Sequence, residues 1–159
     1  MKAEIQIQPV GVDPVGRFFG SMRIPSLTDW PAVLQLASPY FVCLVVADGT
    51  TETTDELSTW ASRALDQGLV YLCAWGDGCD VVEDIVDWAY IARPDSSDRP
   101  IVVTTSHRDV PVEAAVDFFV KDAVPVDPYR SACSTWLLVE VGQAGAMSGA
   151  LEHLVSVIA

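Results

Sequence analysis

The sequence predicts an α/β domain with a mostly parallel sheet of at least four strands and helices on both faces, a three-layer arrangement of the Rossmann-like or flavodoxin-like kind. Three observations lead there. From Tyr40 onward, short apolar runs rich in β-branched residues alternate with amphipathic stretches at helical spacing, the signal of βαβ units. The apolar runs are strand-length, too short to cross a membrane as helices. The chain has 159 residues, 50% of them hydrophobic, enough for one core without disulfide staples.

The first predicted strand is Tyr40-Phe41-Val42-Cys43-Leu44-Val45-Val46-Ala47. Thr53-Thr54-Asp55-Glu56 then has capping-box spacing, with Leu57, Trp60, Ala61, Ala64 and Leu65 on one helical face and Gly68 as the stop. Leu69 to Ala74 reads as a second strand. The helix after it is expected to start near Asp80, three residues before Glu83, and to bury Val81, Val82, Ile85, Val86 and Ala89. Asp95-Ser96-Ser97-Asp98 reads as a loop, and Pro100 to Thr105 as a fully buried strand because of Ile101-Val102-Val103. Pro111 suits a first helical turn, with Ala115, Phe118 and Phe119 on the inner face. Pro125 and Pro128 break the chain, Ser134 to Val141 makes a fourth strand, and a last helix runs from about Met147 to Ile158.

Residues 1–159 are read as a single domain in which residues 1–38 form an N-terminal covering arm. That arm holds three acids, three bases and four prolines. An edge strand at Ile5-Gln6-Ile7 and a short helix near Pro31 to Leu36 are expected within it. Met1-Lys2-Ala3-Glu4-Ile5-Gln6 lacks the charged start and apolar core of a signal peptide. Cys43, Cys73, Cys79 and Cys133 show no zinc or redox spacing. A reducing cytoplasm is the expected location, with four free thiols and no structural metal or cofactor.

Twenty-two acids against nine bases give a formal charge of -13. Asp48 to Asp98 holds twelve of the acids and only Arg63 and Arg93 as bases. Such a chain repels phosphate backbones and anionic bilayers, which argues against nucleic acid and membrane partners and for a basic protein partner.

Ligands in parallel α/β sheets bind beyond the carboxyl ends of the strands, which singles out three loops. Asp48-Gly49-Thr50-Thr51 resembles the end of the haloacid dehalogenase phosphatase signature, but Val46 occupies the place of the nucleophilic aspartate, so a tight turn is expected. Trp75-Gly76-Asp77-Gly78-Cys79-Asp80 is glycine-rich between a strand and a helix, yet it lacks phosphate-loop spacing, and Asp77 and Asp80 oppose an anion. Ser106-His107-Arg108-Asp109 is the third. Cys79 near a helix N-terminus with His107 as base is the best catalytic pair available, although Asp77, Asp80 and Glu83 disfavour a thiolate. His153 reads as a surface or core-edge residue. Asp77, Asp80 and Asp84 lack a calcium-loop pattern and read as solvated acidic surface.

Tyr71-Leu72-Cys73-Ala74-Trp75-Gly76, then Cys79 and Asp84, Thr104-Thr105-Ser106-His107, and Glu113-Ala114-Ala115 leading to Phe118-Phe119 together resemble a family of small uncharacterised bacterial proteins, a domain of unknown function. The resemblance covers roughly residues 40 to 142 and implies no activity. It marks Trp75, Gly76, Cys79 and His107 as positions of interest.

Two functions follow as expectations. One is an acidic module of the immunity or inhibitor type, docking a basic protein through Asp77, Asp80, Glu83, Asp84 and Asp87, joined by Glu52, Asp55 and Glu56. The alternative is a small enzyme or nucleotide-binding domain using the strand-end loops with Cys79 and His107. Oligomeric state is left open by the sequence.

Overall fold

The computed structural model describes residues 5–49, 51–95 and 98–159. The amino-terminal segment, the turn at Asp48–Thr51 and the loop at Asp95–Asp98 therefore fall partly outside the described residues. The elements are β1 (Gln8–Val12), β2 (Phe18–Ile24), a 3-10 turn at Leu27–Asp29, β3 (Tyr40–Ala47), α1 (Thr54–Asp66), β4 (Leu69–Trp75), α2 (Cys79–Ile91), β5 (Val103–His107), α3 (Val112–Lys121), α4 (Asp127–Arg130), β6 (Cys133–Val141), α5 (Gly142–Ala146) and α6 (Ala150–Ile158). One sheet holds six strands in the order β1-β2-β6-β3-β4-β5. Among the described residues only the β1–β2 pair is antiparallel.

Alternation along the strands divides the core between the two faces. Cys43, Val45, Leu72, Leu137 and Val139 point toward α1 and α2, where Leu57, Trp60, Val82 and Val86 cover them. Val42, Leu44, Val70, Cys73 and Leu138 point toward α3 and α6, where Val116, Phe119 and Leu154 close the opposite layer. Val42, Leu44, Val70, Leu72, Val102 and Leu138, all from these strands or just before them, are buried. The capping box of α1 is made as expected: Glu56 N–H donates to Thr53 Oγ1 at 3.2 Å, and Thr53 N–H to Glu56 Oε1 at 2.9 Å.

The amino-terminal segment differs most from expectation. It supplies two strands of the sheet, and β2 lies between β1 and the central strand β6 with Phe19, Met22 and Ile24 buried. The edge strand begins three residues later than Ile5, because a turn at Asp13–Arg17 sets the hairpin register. Asp13 Oδ1 accepts from the N–H of Val15 and of Arg17, and Val12 pairs with Phe18. Pro31 to Leu36 is not helical. Its carbonyls at Pro31 and Ala32 accept from the Gln67 side chain at the end of α1, so a tertiary contact takes the place of helical bonds.

Two further corrections concern the acidic helix and the strand beside it. α2 begins at Cys79 without a side-chain cap, and Asp80 lies inside its first turn. Val81 faces solvent, and Ile85 is only half-buried. β5 is the outer strand of the sheet and half-buried along its length, with Ile101 exposed before it, so it is not the fully buried strand expected. Its apolar run ends at Val103, the first residue of the strand, and the Thr-Thr-Ser content that follows suits an edge. Among the described residues no helix is long and apolar enough to cross a membrane.

Candidate functional site

The carboxyl ends of β3, β4 and β5 open onto a cleft of about 540 Å³. Its walls carry Asp48, Asp77, Asp80 and Asp109, with Arg108 and the ring of Trp75 among them. The loops are tied to one another: Gly49 N–H donates to the Asp77 carbonyl at 3.0 Å, and Trp75 Nε1 donates to the Val110 carbonyl at 2.8 Å. Gly76 sits at φ +113°, and a Cβ there would lie 1.8 Å from the Ala47 carbonyl oxygen, so the ends of β3 and β4 approach this closely only because residue 76 is glycine.

Arg108 Nη1 contacts Asp80 Oδ2 at 2.9 Å, with 70% of the Arg108 side chain exposed. Four carboxylates against one cation leave the cleft negative, and a cationic group is what it can receive.

α2 continues the acidic surface from Asp80. Glu83, Asp84 and Asp87 place carboxylate oxygens within 4.8 Å of one another. The fold thus gathers this trio, and not Asp77, Asp80 and Asp84. Glu83 is pushed above the usual glutamate range by burial, with repulsion from Asp87, Asp84 and Asp80 adding to it and a Ser106 hydrogen bond opposing it. Asp87 accepts from Thr104 Oγ1 at 2.7 Å, so it also fastens α2 to the edge strand. Such a trio suits a hard cation or a basic side chain.

Of the remaining predicted positions, Glu52, Asp55, Glu56 and Cys79 lie outside the lining of the cleft, whereas His107 is part of it. Glu52 accepts from Ser26 Oγ at 2.7 Å and from Leu27 N–H at 3.0 Å, contacts that, outweighing its burial, hold its carboxyl below the usual range. Glu56 is engaged in its own helix cap, while Asp55 is exposed in the same turn.

Cys79 and His107 do not form a side-chain pair. Cys79 belongs to the core layer under α1 and α2. His107 lies on the other face, its ring 4.7 Å from that of Phe118 and its Nε2 2.9 Å from Thr105 Oγ1. Burial, then the negative charge of Asp80, raises the Cys79 thiol, and burial lowers His107. Both shifts oppose a thiolate–imidazolium pair. All four cysteines are free and buried. His153 is half-buried, 2.9 Å from Asp117, at the seam between α3 and α6.

Two residues escaped the sequence reading. Trp88 on α2 is 69% exposed, flanked by exposed Val81 and Ile91. Val81, Asp84, Trp88 and Ile91 recur at helical spacing, a second stripe that was legible but masked by the inner one. Glu140 is a lone carboxylate in the apolar central strand and is wholly buried. Its Oε1 accepts from Arg23 Nε at 3.1 Å, whereas Oε2 has no hydrogen-bond partner among the described residues.

Burial raises the Glu140 pKa above its ordinary value of 4.5, with Arg23 opposing. As pH climbs past that value the unfolded chain ionises first, so stability falls until the folded-state carboxyl ionises too, and stays lowered above. Glu140→Gln is therefore expected to gain melting temperature relative to the parent at about pH 8, the gain shrinking at about pH 4. Thermal unfolding of both proteins at the two pH values checks this, and a difference independent of pH would contradict it.

A family profile described as a domain of unknown function, DUF7684, matches residues 21–157, from within β2 to the last turn of α6. The chain belongs to the DUF7684 family. The matched region includes β3, β4, β5 and β6 in full, the later part of β2 and the whole acidic cleft, so these are parts of the DUF7684 domain. No curated protein and no solved structure matches the chain.

Proposed function

We propose that this DUF7684 domain is an acidic docking module of the immunity or inhibitor type, acting in the reducing cytoplasm, whose target is a basic protein. The observation that carries the proposal is the continuity of the negative cleft with the outer face of α2, where clustered carboxylates surround an exposed tryptophan. Carboxylates steer a basic partner into contact, and a solvent-facing tryptophan among small apolar neighbours supplies the kind of anchor that dominates binding energy. Four free cysteines support a reducing location, and the charge of -13 disfavours nucleic acid and anionic membranes as partners. The enzyme reading gains less support, since Cys79 and His107 lie on opposite faces of the sheet.

Asp84 is the carboxylate to reverse, because it is exposed, whereas Asp87 is bonded to Thr104. In pull-downs from native lysate followed by kinetics on the captured protein, Asp84→Lys is expected to slow association about tenfold at low salt, with the difference fading as salt rises. Trp88→Ala is expected to weaken binding by about 2 kcal/mol, mainly through faster dissociation, with unfolding unchanged. Capture of no basic protein, or equal capture by the parent and both variants, overturns the proposal.

A further inference from the structure

The opposite end of the sheet holds a pocket of inverse character. At the amino ends of β3, β4 and β5 a cavity of about 220 Å³ is lined by Tyr40, Tyr90, Tyr129, Arg93 and Arg99, and by no acidic residue among the described residues. The contrast with the rest of the chain is pronounced, because 22 acids outnumber nine bases overall. We propose that this pocket is a binding site for a small aromatic anion, a single ring bearing a carboxylate or phosphate.

The walls are fixed in place. Tyr129 Oη donates to the Pro100 carbonyl at 2.8 Å, and Tyr90 Oη donates to the same carbonyl at 3.0 Å, which holds the backbone beside Arg99 against the sheet. The Tyr40 and Tyr129 rings meet edge-on with centroids 4.8 Å apart. Gly68, at φ +108°, brings the start of β4 against Pro39, where a Cβ would lie 2.1 Å from the carbonyl oxygen. The cavity is below the roughly 300 Å³ at which drug-sized ligand sites begin, which limits the ligand to about one ring.

The cations are oriented but not used up. Arg93 Nη2 contacts Asp66 Oδ1 at 2.9 Å, and Arg99 Nε contacts Asp95 Oδ2 at 2.6 Å. Each guanidinium has further N–H groups that no hydrogen bond among the described residues engages, and a planar fork of this kind matches a carboxylate or phosphate. The aromatic walls provide apolar contact for the ring that carries the anion. The site shares no lining residue with the docking surface, whose acidic cleft lies at the other end of the strands.

The test titrates phenyl phosphate, benzoate, phenol and inorganic phosphate into the full-length chain by calorimetry. At least one ring-bearing anion is expected to bind with Kd below about 1 mM, with phenol and inorganic phosphate at least about tenfold weaker. The stronger of phenyl phosphate and benzoate identifies the anion. Arg99→Gln is expected to reduce that affinity at least about tenfold, while Arg108→Gln, at the far end of the sheet, leaves it unchanged. If Arg99→Gln melts early, Arg99→Lys takes its place, keeping the charge but losing the fork, with the same direction of loss expected. No saturable binding up to about 10 mM, equal binding of phenol, equal binding of inorganic phosphate, or equal losses in the Arg99 and Arg108 variants each overturns the assignment.

Discussion

Gly76→Ala is expected to destabilise the protein by at least about 3 kcal/mol, more than any other single methyl group added to its loops. Two penalties combine there. The φ of +113° is one that L side chains rarely adopt, and the new Cβ would stand 1.8 Å from the Ala47 carbonyl oxygen, a backbone atom that cannot rotate away. Relief requires the ends of β3 and β4 to separate, which also breaks the wall of the acidic cleft. Gly16→Ala isolates the first penalty, since Gly16 has φ +89° with nothing within 4 Å of the added carbon, and a loss of about 1 kcal/mol is expected. Denaturant unfolding of both variants measures the difference. A Gly76→Ala loss no larger than that of Gly16→Ala would show that the β3–β4 approach is not the constraint.

The second large effect is expected at Phe119. Its ring is fully buried between α3 and the sheet, edge-on to Phe19 at 6.2 Å, in the layer that α6 also covers. Phe119→Ala removes the ring and leaves a cavity walled by rigid strands, a change that costs about 3–5 kcal/mol. For a domain of this size the melting temperature is expected to fall by roughly 10 °C. Phe118→Ala is the comparison: this ring is half-buried against His107, and its neighbours have solvent to relax into, so a clearly smaller loss is expected. Equal losses at the two positions would mean that the α3 layer is not packed as described.

Much of the fold was legible because period and composition report burial directly. The runs at Tyr40–Ala47 and Leu69–Ala74 are buried on both faces, so nearly every position is apolar and a parallel strand is the only short element that fits. Thr53 and Glu56 announce the start of α1 by side chains that satisfy its own backbone. The carboxyl-end loops could be singled out in advance, since strand direction follows from the βαβ order, and Asp48, Asp77 and Asp80 do meet at one cleft.

What stayed hidden depends on partners distant in the chain. β2 carries Gly20, Ser21 and Arg23 among its apolar residues, and it becomes an inner strand only because β6 lies beside it and Glu140 receives Arg23. Cys79 and His107 come from neighbouring loops, yet alternation along β5 turns the imidazole to the face that Cys79 does not share. The acids of α2 are equivalent in sequence, but Asp87 is held by Thr104 and Asp84 is not. The pocket of Tyr40, Arg93, Arg99 and Tyr129 draws on residues up to 89 positions apart, 129 minus 40, and leaves no local pattern. By itself the sequence determined the layer architecture, the net charge and the cap of α1, which depend on each residue's own chemistry and near neighbours. Tertiary structure alone decided strand order, which acids stand free and where opposite charges collect, because those depend on which distant segments the closing sheet brings together.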